Sequence, residues 1–282
     1  MVNEITYKVG GGIGDVLHQT AILKAIKKKY PTSKIYVYLE TAPNRKKPIY
    51  DLHKYNPYIE QFIDDIKGKV INVKENKQSG KSNIPISLCN SFGFDKKDIE
   101  CPIFLSEDEK QWAKDKLSNL GLNPDKLVGI GERVRPKKIW HGYKELIERL
   151  HKSGYSVIQL GTHKPPEDET VPTILARDLD MDIRKTVAIM SQCKSFVSIG
   201  SGLGIIAYWL DIPLIALWGG AGKPFWFTDQ DYKLNKVKML EGPCDLYCGG
   251  EHSPCKKGFT SNWPCMKVSV RRVFNSIKEV VK

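Results

Sequence analysis

Along this chain the hydrophobic positions follow two periods. Short β-branched runs predict strands at 5–9, 34–39, 69–73, 127–130, 156–160, 173–176, 195–199 and 213–218. Between them, apolar residues three and four apart predict helices. In 16–30 the stripe is Leu17, Ala21 and Ala25 with Ile22 and Ile26, closed by Pro31. The segment 49–63 is read as a helix interrupted by Pro57, after a basic loop at 44–48 and before a polar connector at 74–83. Ser106-Glu107-Asp108-Glu109 is a capping box opening a helix with Trp112, Ala113, Leu117 and Leu120 on one side and Gly121 as its stop. Further helices are expected at 142–153, at 182–193, from the turn after 199 to Asp211, and at 268–281.

Strands alternating with helices define an α/β protein with parallel sheets. The pattern restarts at Asn123-Pro124-Asp125, dividing the chain into 1–124 and 125–282. Each part holds its own βα array and neither repeats the other. The expectation is two doubly wound domains facing a central cleft.

Each array contains one glycine-rich turn from strand to helix. Gly10-Gly11-Gly12-Ile13-Gly14-Asp15 lacks the Gly-Lys-Ser/Thr of a P-loop, and Asp15 stands where the dinucleotide fingerprint needs Gly or Ala. Two readings of Asp15 stand side by side: a cap in a tight turn, and an acid at the edge of an active site between strand and helix. His18, one turn further, either approaches a ligand or packs on the sheet. The second turn, Gly200-Ser201-Gly202-Leu203-Gly204, puts backbone N–H groups at a helix N-terminus, an arrangement that suits phosphate oxygens. Upstream, Arg133, Arg135, Lys137 and Lys138 follow another strand exit, ahead of Ile139-Trp140. A pyrophosphate held between that loop and the second turn is one expectation; a solvated basic loop is the plainer alternative.

Charge supports an anionic ligand without naming it. The 282 residues carry 44 Lys+Arg against 32 Asp+Glu, a net charge of +12. No basic-and-aromatic module of a nucleic-acid binder is present, so nucleic acid is set aside. No apolar run reaches the roughly 20 residues of a membrane span, and the opening Met1–Glu4 has no signal-peptide layout. The chain is read as cytoplasmic, with peripheral contact at the inner membrane face left open. Of seven cysteines, Cys89, Cys101 and Cys193 are scattered, whereas Cys244, Cys248, Cys255 and Cys265 crowd into 244–265. In a reducing compartment such a cluster points to metal before disulfide, and four thiolates suit zinc or iron. Reduced thiols in a glycine-rich loop are the alternative.

Three ordered motifs carry a family resemblance. Gly14-Asp15-Val16-Leu17-His18 with its helix closing at Tyr30-Pro31, then Lys138-Ile139-Trp140, then 187–202 followed by Leu210-Asp211-Ile212-Pro213, resemble the heptosyltransferase-like glycosyltransferases of family 9. The resemblance implies a GT-B fold of two Rossmann-like domains and an inverting, metal-independent sugar transfer from a nucleotide-diphosphate donor, with ADP-heptose favoured. It implies Asp15 as general base, with Gly12, Gly14 and His18 on the acceptor side. On the donor side it implies Arg133 and Lys138 with Gly200, Ser201, Gly202 and Gly204 at the diphosphate and sugar, Glu167 at the ribose and Met181 at the nucleobase. The acceptor would be a glycan, a lipid-linked sugar or a protein hydroxyl. No catalytic cofactor is implied. The Cys tail resembles one that holds structural iron in the autotransporter heptosyltransferases, near relatives within the family. The chain departs from the heptosyltransferase pattern at Gly200, where an Asp is usual, and near Ile205, where a His is frequent. Those departures keep a second reading open, a catalytically silent relative that binds nucleotide sugars or anionic glycans. The short N-terminal half is compatible with a trimmed acceptor pocket or one completed by a partner, as in an oligomer.

Overall fold

The structure, a computed structural model, describes residues 2–73, 84–131, 139–161, 174–175, 181–219, 236–244, 254–260 and 263–281. These residues form two compact units, 2–106 and 107–281.

In the first unit, β1 (Glu4–Gly10), β2 (Lys34–Glu40), β3 (Gln61–Ile63) and β4 (Lys69–Asn72) make a parallel sheet of order β3-β2-β1-β4. Their companions are α1 (Ile13–Thr20), α2 (Leu23–Lys29), α3 (Pro43–Leu52) and α4 (Ile84–Phe92). Ile5, Thr6, Tyr7 and Val9 of β1 are all buried, as expected for a central parallel strand covered on both faces.

The expected single helix at 16–30 is two helices. Thr20 Oγ1 lies 2.9 Å from the Val16 carbonyl and 2.8 Å from His53 Nε2. Such back-bonding to the preceding turn, anchored by the buried side chain of the residue that caps α3, ends α1 and lets α2 restart at Leu23. The expected basic loop at 44–48 lies inside α3, which Pro43 opens at a position where its missing N–H costs nothing. Residues 61–63 form β3, where a helix was expected. Tyr36 pairs with Gln61, and the Phe62 ring packs 4.6 Å from Tyr50 and 5.8 Å from His53. The connector at 74–83 lies outside the described residues.

The second unit contains α5 (Glu107–Asn119), β5 (Leu127–Gly131), α6 (Tyr143–Lys152), β6 (Ser156–Leu160), β7 (Ile174–Leu175) and α7 (Ile183–Met190). It continues through β8 (Ser195–Ile199), α8 (Gly202–Trp209), β9 (Leu214–Trp218), β10 (Val237–Glu241) and α9 (Val270–Val280). The sheet runs β10-β9-β8-β5-β6-β7, with every ladder parallel. Counted from its own first strand, that is the 3-2-1-4-5-6 order of dinucleotide-binding sheets. Its core gathers Val128 and Ile130 of β5, Leu146, Ile147 and Leu150 of α6, and Val273 and Ile277 of α9.

The division falls before α5, whereas the turn at Asn123-Pro124-Asp125 suggested a division after that helix. The reason is an ion pair. Arg184 of α7 holds Glu109 of α5 in a fork, Nε to Oε1 at 2.8 Å and a terminal nitrogen to Oε2 at 2.5 Å. The Arg184 side chain is 8% exposed. Burial favours this planar two-bond geometry, because a guanidinium taken from water needs its charge and donors matched together. Replacing Glu109 by Ala removes both bonds of the fork from a buried cation, so Glu109→Ala should lose about 3–5 kcal/mol in urea unfolding. A loss below about 1 kcal/mol, typical of exposed pairs, would show that the fork does not hold α5 in place.

Candidate functional site

Strand order directs attention to two places. In an open parallel sheet, ligands bind beyond the carboxyl ends of the strands where the order reverses. In the first unit that point lies at β1 and β4; in the second, at β5 and β8. The first glycine turn leaves β1 and the second leaves β8.

The first turn is held by side chains. Gly12 is the N-cap of α1, and Asp15 is the third residue inside the helix. The Asp15 carboxylate folds back and accepts from the Gly12 N–H at 2.8 Å, so capping is part of its role. Gly11 takes φ +111°, and a Cβ there would stand 2.8 Å from both Cβ and Oδ2 of Asp15. Only glycine lets the carboxylate lie in that position without strain. Thr41 Oγ donates to the Gly11 carbonyl at 2.7 Å. A Cβ on Gly10 would meet the Glu40 carbonyl oxygen at 2.6 Å, so β2 closes over the strand exit. Asp15 itself stays half-buried and Gly14 is buried.

His18 belongs to the interior. It is fully buried, and burial pushes its imidazole down to about 3, so it is neutral at physiological pH. Tyr7, also fully buried, stays protonated well above the usual phenol range and donates to the Gln19 carbonyl at 2.7 Å.

The second turn is built differently. The Ser201 hydroxyl points inward and lies 3.0 Å from Ser198 Oγ, which bonds the Ile199 carbonyl at 2.8 Å. Ser201 is the N-cap of α8, yet its side chain makes no capping bond. The first-turn amides of Gly202, Leu203 and Gly204 are therefore uncapped by that hydroxyl, an arrangement that suits an anion. Gly200 lies under an aromatic ring. A Cβ at position 200 would fall 2.7 Å from Trp218 Cη2 and 2.9 Å from Cζ3, so the indole from β9 occupies the space of a side chain. Met181 is half-buried, just before Asp182, whose carboxylate caps α7 by accepting from the Lys185 N–H at 2.7 Å.

Trp140 is a plug rather than a ligand group. It is 3% exposed, its indole N–H donates to the Val268 carbonyl at 2.8 Å, and its ring sits 5.0 Å from Tyr143. It fixes the downstream end of the basic loop to the core of the second unit. Arg133, Lys138, Glu167 and Cys248 lie outside the described residues.

Among the described residues, no group of three His, Cys, Asp or Glu side chains is gathered for a metal. Cys244, Cys255 and Cys265 are half-buried, and the Gly242 N–H donates to the Cys265 carbonyl at 3.2 Å. That bond joins the chain segments leading to the first and last cysteines of the cluster. By contrast Cys89 and Cys193 are core residues, with burial pushing their thiols up to about 11 and 12. They are unreactive thiols.

Two parallel sheets, each with a glycine turn at its reversal point, define a pair of doubly wound α/β units. The model of glycosyltransferase family 9 (heptosyltransferase) matches residues 85–237, more than half of the chain, and the protein belongs to that family. A curated relative, lipopolysaccharide heptosyltransferase 2 of Salmonella typhimurium, is 29% identical over 168 residues. The match covers 52% of this chain and 47% of that protein, so the chain spans about half the length of the relative. The crystal structure of the family 9 glycosyl transferase from Veillonella parvula superimposes with TM-score 0.71 at 16% identity, covering 99% of this chain and 97% of that one. The dodecameric iron-containing heptosyltransferase TibC of Escherichia coli, solved with ADP-D-beta-D-heptose, gives 0.69 at 15% identity, covering 100% and 77%. These similarities establish the fold as the GT-B type of the family.

His18 provides a pH test of the first unit. Its folded value, about 3, lies below the unfolded value of 6.5. Below pH 6.5 the unfolded chain takes up a proton that the folded chain refuses, so stability falls as the pH drops from 6.5 toward 3. Between pH 7.5 and 5 this group should account for about 2 kcal/mol of lost stability. Unfolding titrations of His18→Leu should show that part of the pH dependence removed; an unchanged profile would mean His18 is charged or exposed.

Proposed function

We propose that this chain is an inverting glycosyltransferase that moves a sugar, heptose or a related hexose, from a nucleotide-diphosphate donor to a hydroxyl group. The observation that carries the reading is the coincidence of both glycine turns with the reversal points of their sheets, in a chain that belongs to a sugar-transferase family. The acceptor oxygen attacks the anomeric carbon as its proton passes to the Asp15 carboxylate. The bond to the diphosphate oxygen breaks, and the nucleotide diphosphate leaves with the electron pair. Asp15 is half-buried at the exit of β1, and its bond to Gly12 N–H occupies one oxygen, leaving lone pairs on the other for that proton. Arg133 and Lys138 counter the developing phosphate charge, with the amides of Gly202 to Gly204. Glu167 is assigned to the ribose and Met181 to the nucleobase. Gly12 admits the acceptor close to backbone, while Gly14 and His18, expected on the acceptor side, are buried within α1 and support the fold of that turn.

ADP-heptose is the favoured donor, the ligand solved with TibC. The acceptor class is a glycan, a lipopolysaccharide core or a protein, and the lipopolysaccharide name of the Salmonella relative supports the first two. No helix of the described residues is long and apolar enough to cross a membrane. A cytoplasmic location is the one assigned, and the +12 charge supports peripheral contact there with an anionic membrane face. Assembly into an oligomer is in keeping with TibC, which is dodecameric.

The second reading, a silent binding module, draws on one observation: the Trp218 ring over Gly200 removes any side chain from that position. Release of nucleotide diphosphate from a panel of nucleotide sugars separates the two, since a silent binder releases none. In that assay Asp15→Ala should abolish turnover with donor affinity kept, and Lys138→Ala should weaken nucleotide-diphosphate binding by about 1.5–3 kcal/mol. Wild-type turnover in the first variant would overturn the base, and unchanged affinity in the second would remove Lys138 from the donor site.

Cys244, Cys248, Cys255 and Cys265 are assigned to a structural zinc or iron. The four-thiol donor set supports the assignment, and because Cys244, Cys255 and Cys265 are not gathered in the structure, the metal would have to draw them together. Four protein ligands leave no open position, so the metal would staple the tail and take no part in transfer. Metal analysis of purified protein should find about one equivalent, lost together with thermal stability in Cys248→Ser; a metal-free wild type would overturn it.

A further inference from the structure

Gly10 is the last residue of β1, and its backbone is bonded in an unusual way. Its N–H donates to Gln19 Oε1 at 2.9 Å, and its carbonyl accepts from Gln19 Nε2 at 2.9 Å. The side-chain amide of one residue thus satisfies both polar groups of another residue's backbone. In a parallel ladder the N–H and C=O of one residue face the same neighbouring strand. On the β4 side of β1 the ladder ends at Lys8 paired with Asn72, two residues before Gly10. Among the described residues no strand continues opposite Gly10 on that side, and the Gln19 amide meets its polar groups. Gln19 is fixed in turn, because Tyr7, buried and protonated, donates to its backbone carbonyl at 2.7 Å. That carbonyl is among the last four of α1, which have no partner within the helix.

We propose that Gln19 is a positioning residue for the reaction, holding the exit of β1 so that the Gly11–Asp15 turn presents its carboxylate in one place. The proposal rests on the reading of Asp15 as the base. The turn is a short bridge between two points. At one end Gly10 is locked to Gln19, and at the other Asp15 and Gln19 share α1, four residues apart on adjacent turns. Gly11 and Gly12 between them have no side chains to limit their motion. Loss of the amide leaves both backbone polar groups of Gly10 without that partner and loosens the turn that sets the distance from carboxylate to acceptor, although β2 still flanks Gly10. Misplacing a base by about 1 Å costs rate far more than it costs binding.

Three variants and two readouts test this. Gln19→Met keeps the volume and loses both bonds. It should raise amide hydrogen exchange at Gly10 and Gly12 while the amides of β2 stay protected. It should also lower kcat for ADP release from ADP-heptose, with water as acceptor, by about tenfold or more, with donor affinity unchanged. Gln19→Glu is the discriminating variant. A protonated carboxyl donates and accepts as the amide does, whereas the carboxylate only accepts and faces the Gly10 carbonyl oxygen. The ratio of Gln19→Glu activity to wild type should therefore climb as the pH is lowered from 8 to 5, a trend that general loosening of the fold would not produce. Unchanged exchange at Gly10 in Gln19→Met, or a ratio flat with pH, overturns the clamp. Asp15→Ala tests the base separately: wild-type ADP release by that variant overturns the base reading, and the exchange result at Gly10 still stands.

Discussion

Where a parallel sheet reverses its strand order, the chains leaving two neighbouring strands part company, and the backbone between them loses the ladder that satisfied it. The polar groups uncovered there must be met by water, side chain or ligand. Both units of this protein face that problem, at β1 beside β4 and at β5 beside β8. Much of the chemistry suggested for the chain follows from how each end is met.

The two solutions differ in kind. At β1 the backbone is satisfied internally, by Gln19 on Gly10, Asp15 on Gly12 and Thr41 on Gly11. The result is a pre-set turn with a half-buried carboxylate. At β8 the inward hydroxyl of Ser201 bonds within the sheet's own edge and leaves the first turn of α8 without a side-chain cap. A self-satisfied turn suits proton transfer, which needs a fixed carboxylate. A turn short of acceptors suits an anion, which brings them. That division matches the two halves of a sugar transfer, activation of a nucleophile and stabilisation of a leaving diphosphate.

The strands and most helices were legible because their signals are local. β1 alternates Ile5, Tyr7 and Val9 with polar residues, β8 carries Phe196, Val197 and Ile199 in a short β-rich run, and α6 shows its stripe of Leu146, Ile147 and Leu150. What escaped depends on partners distant in sequence. The break after Thr20 needs His53, β3 exists because β2 offers it a ladder, and α4 and β10 had no pattern strong enough to stand out. Glu109 fits a capping box with Ser106, yet its carboxylate spans to Arg184. Within the candidate site, the two glycine turns and Asp15 stand out by composition. Gln19 does not, since its partner is backbone, and Trp218 over Gly200 requires knowing that β8 and β9 are neighbours.

The fork between Arg184 and Glu109 has a consequence for how such proteins exchange parts. A hybrid that joins the second unit of this chain to another first unit at the Asn123-Pro124 turn, the seam visible in the sequence, would leave the native α5 behind. The cation of α7 would then have to find its carboxylate on a foreign helix. A junction at or before Glu107 carries both partners together. The natural unit of recombination here is set by a buried charge rather than by the loop that looks like a hinge.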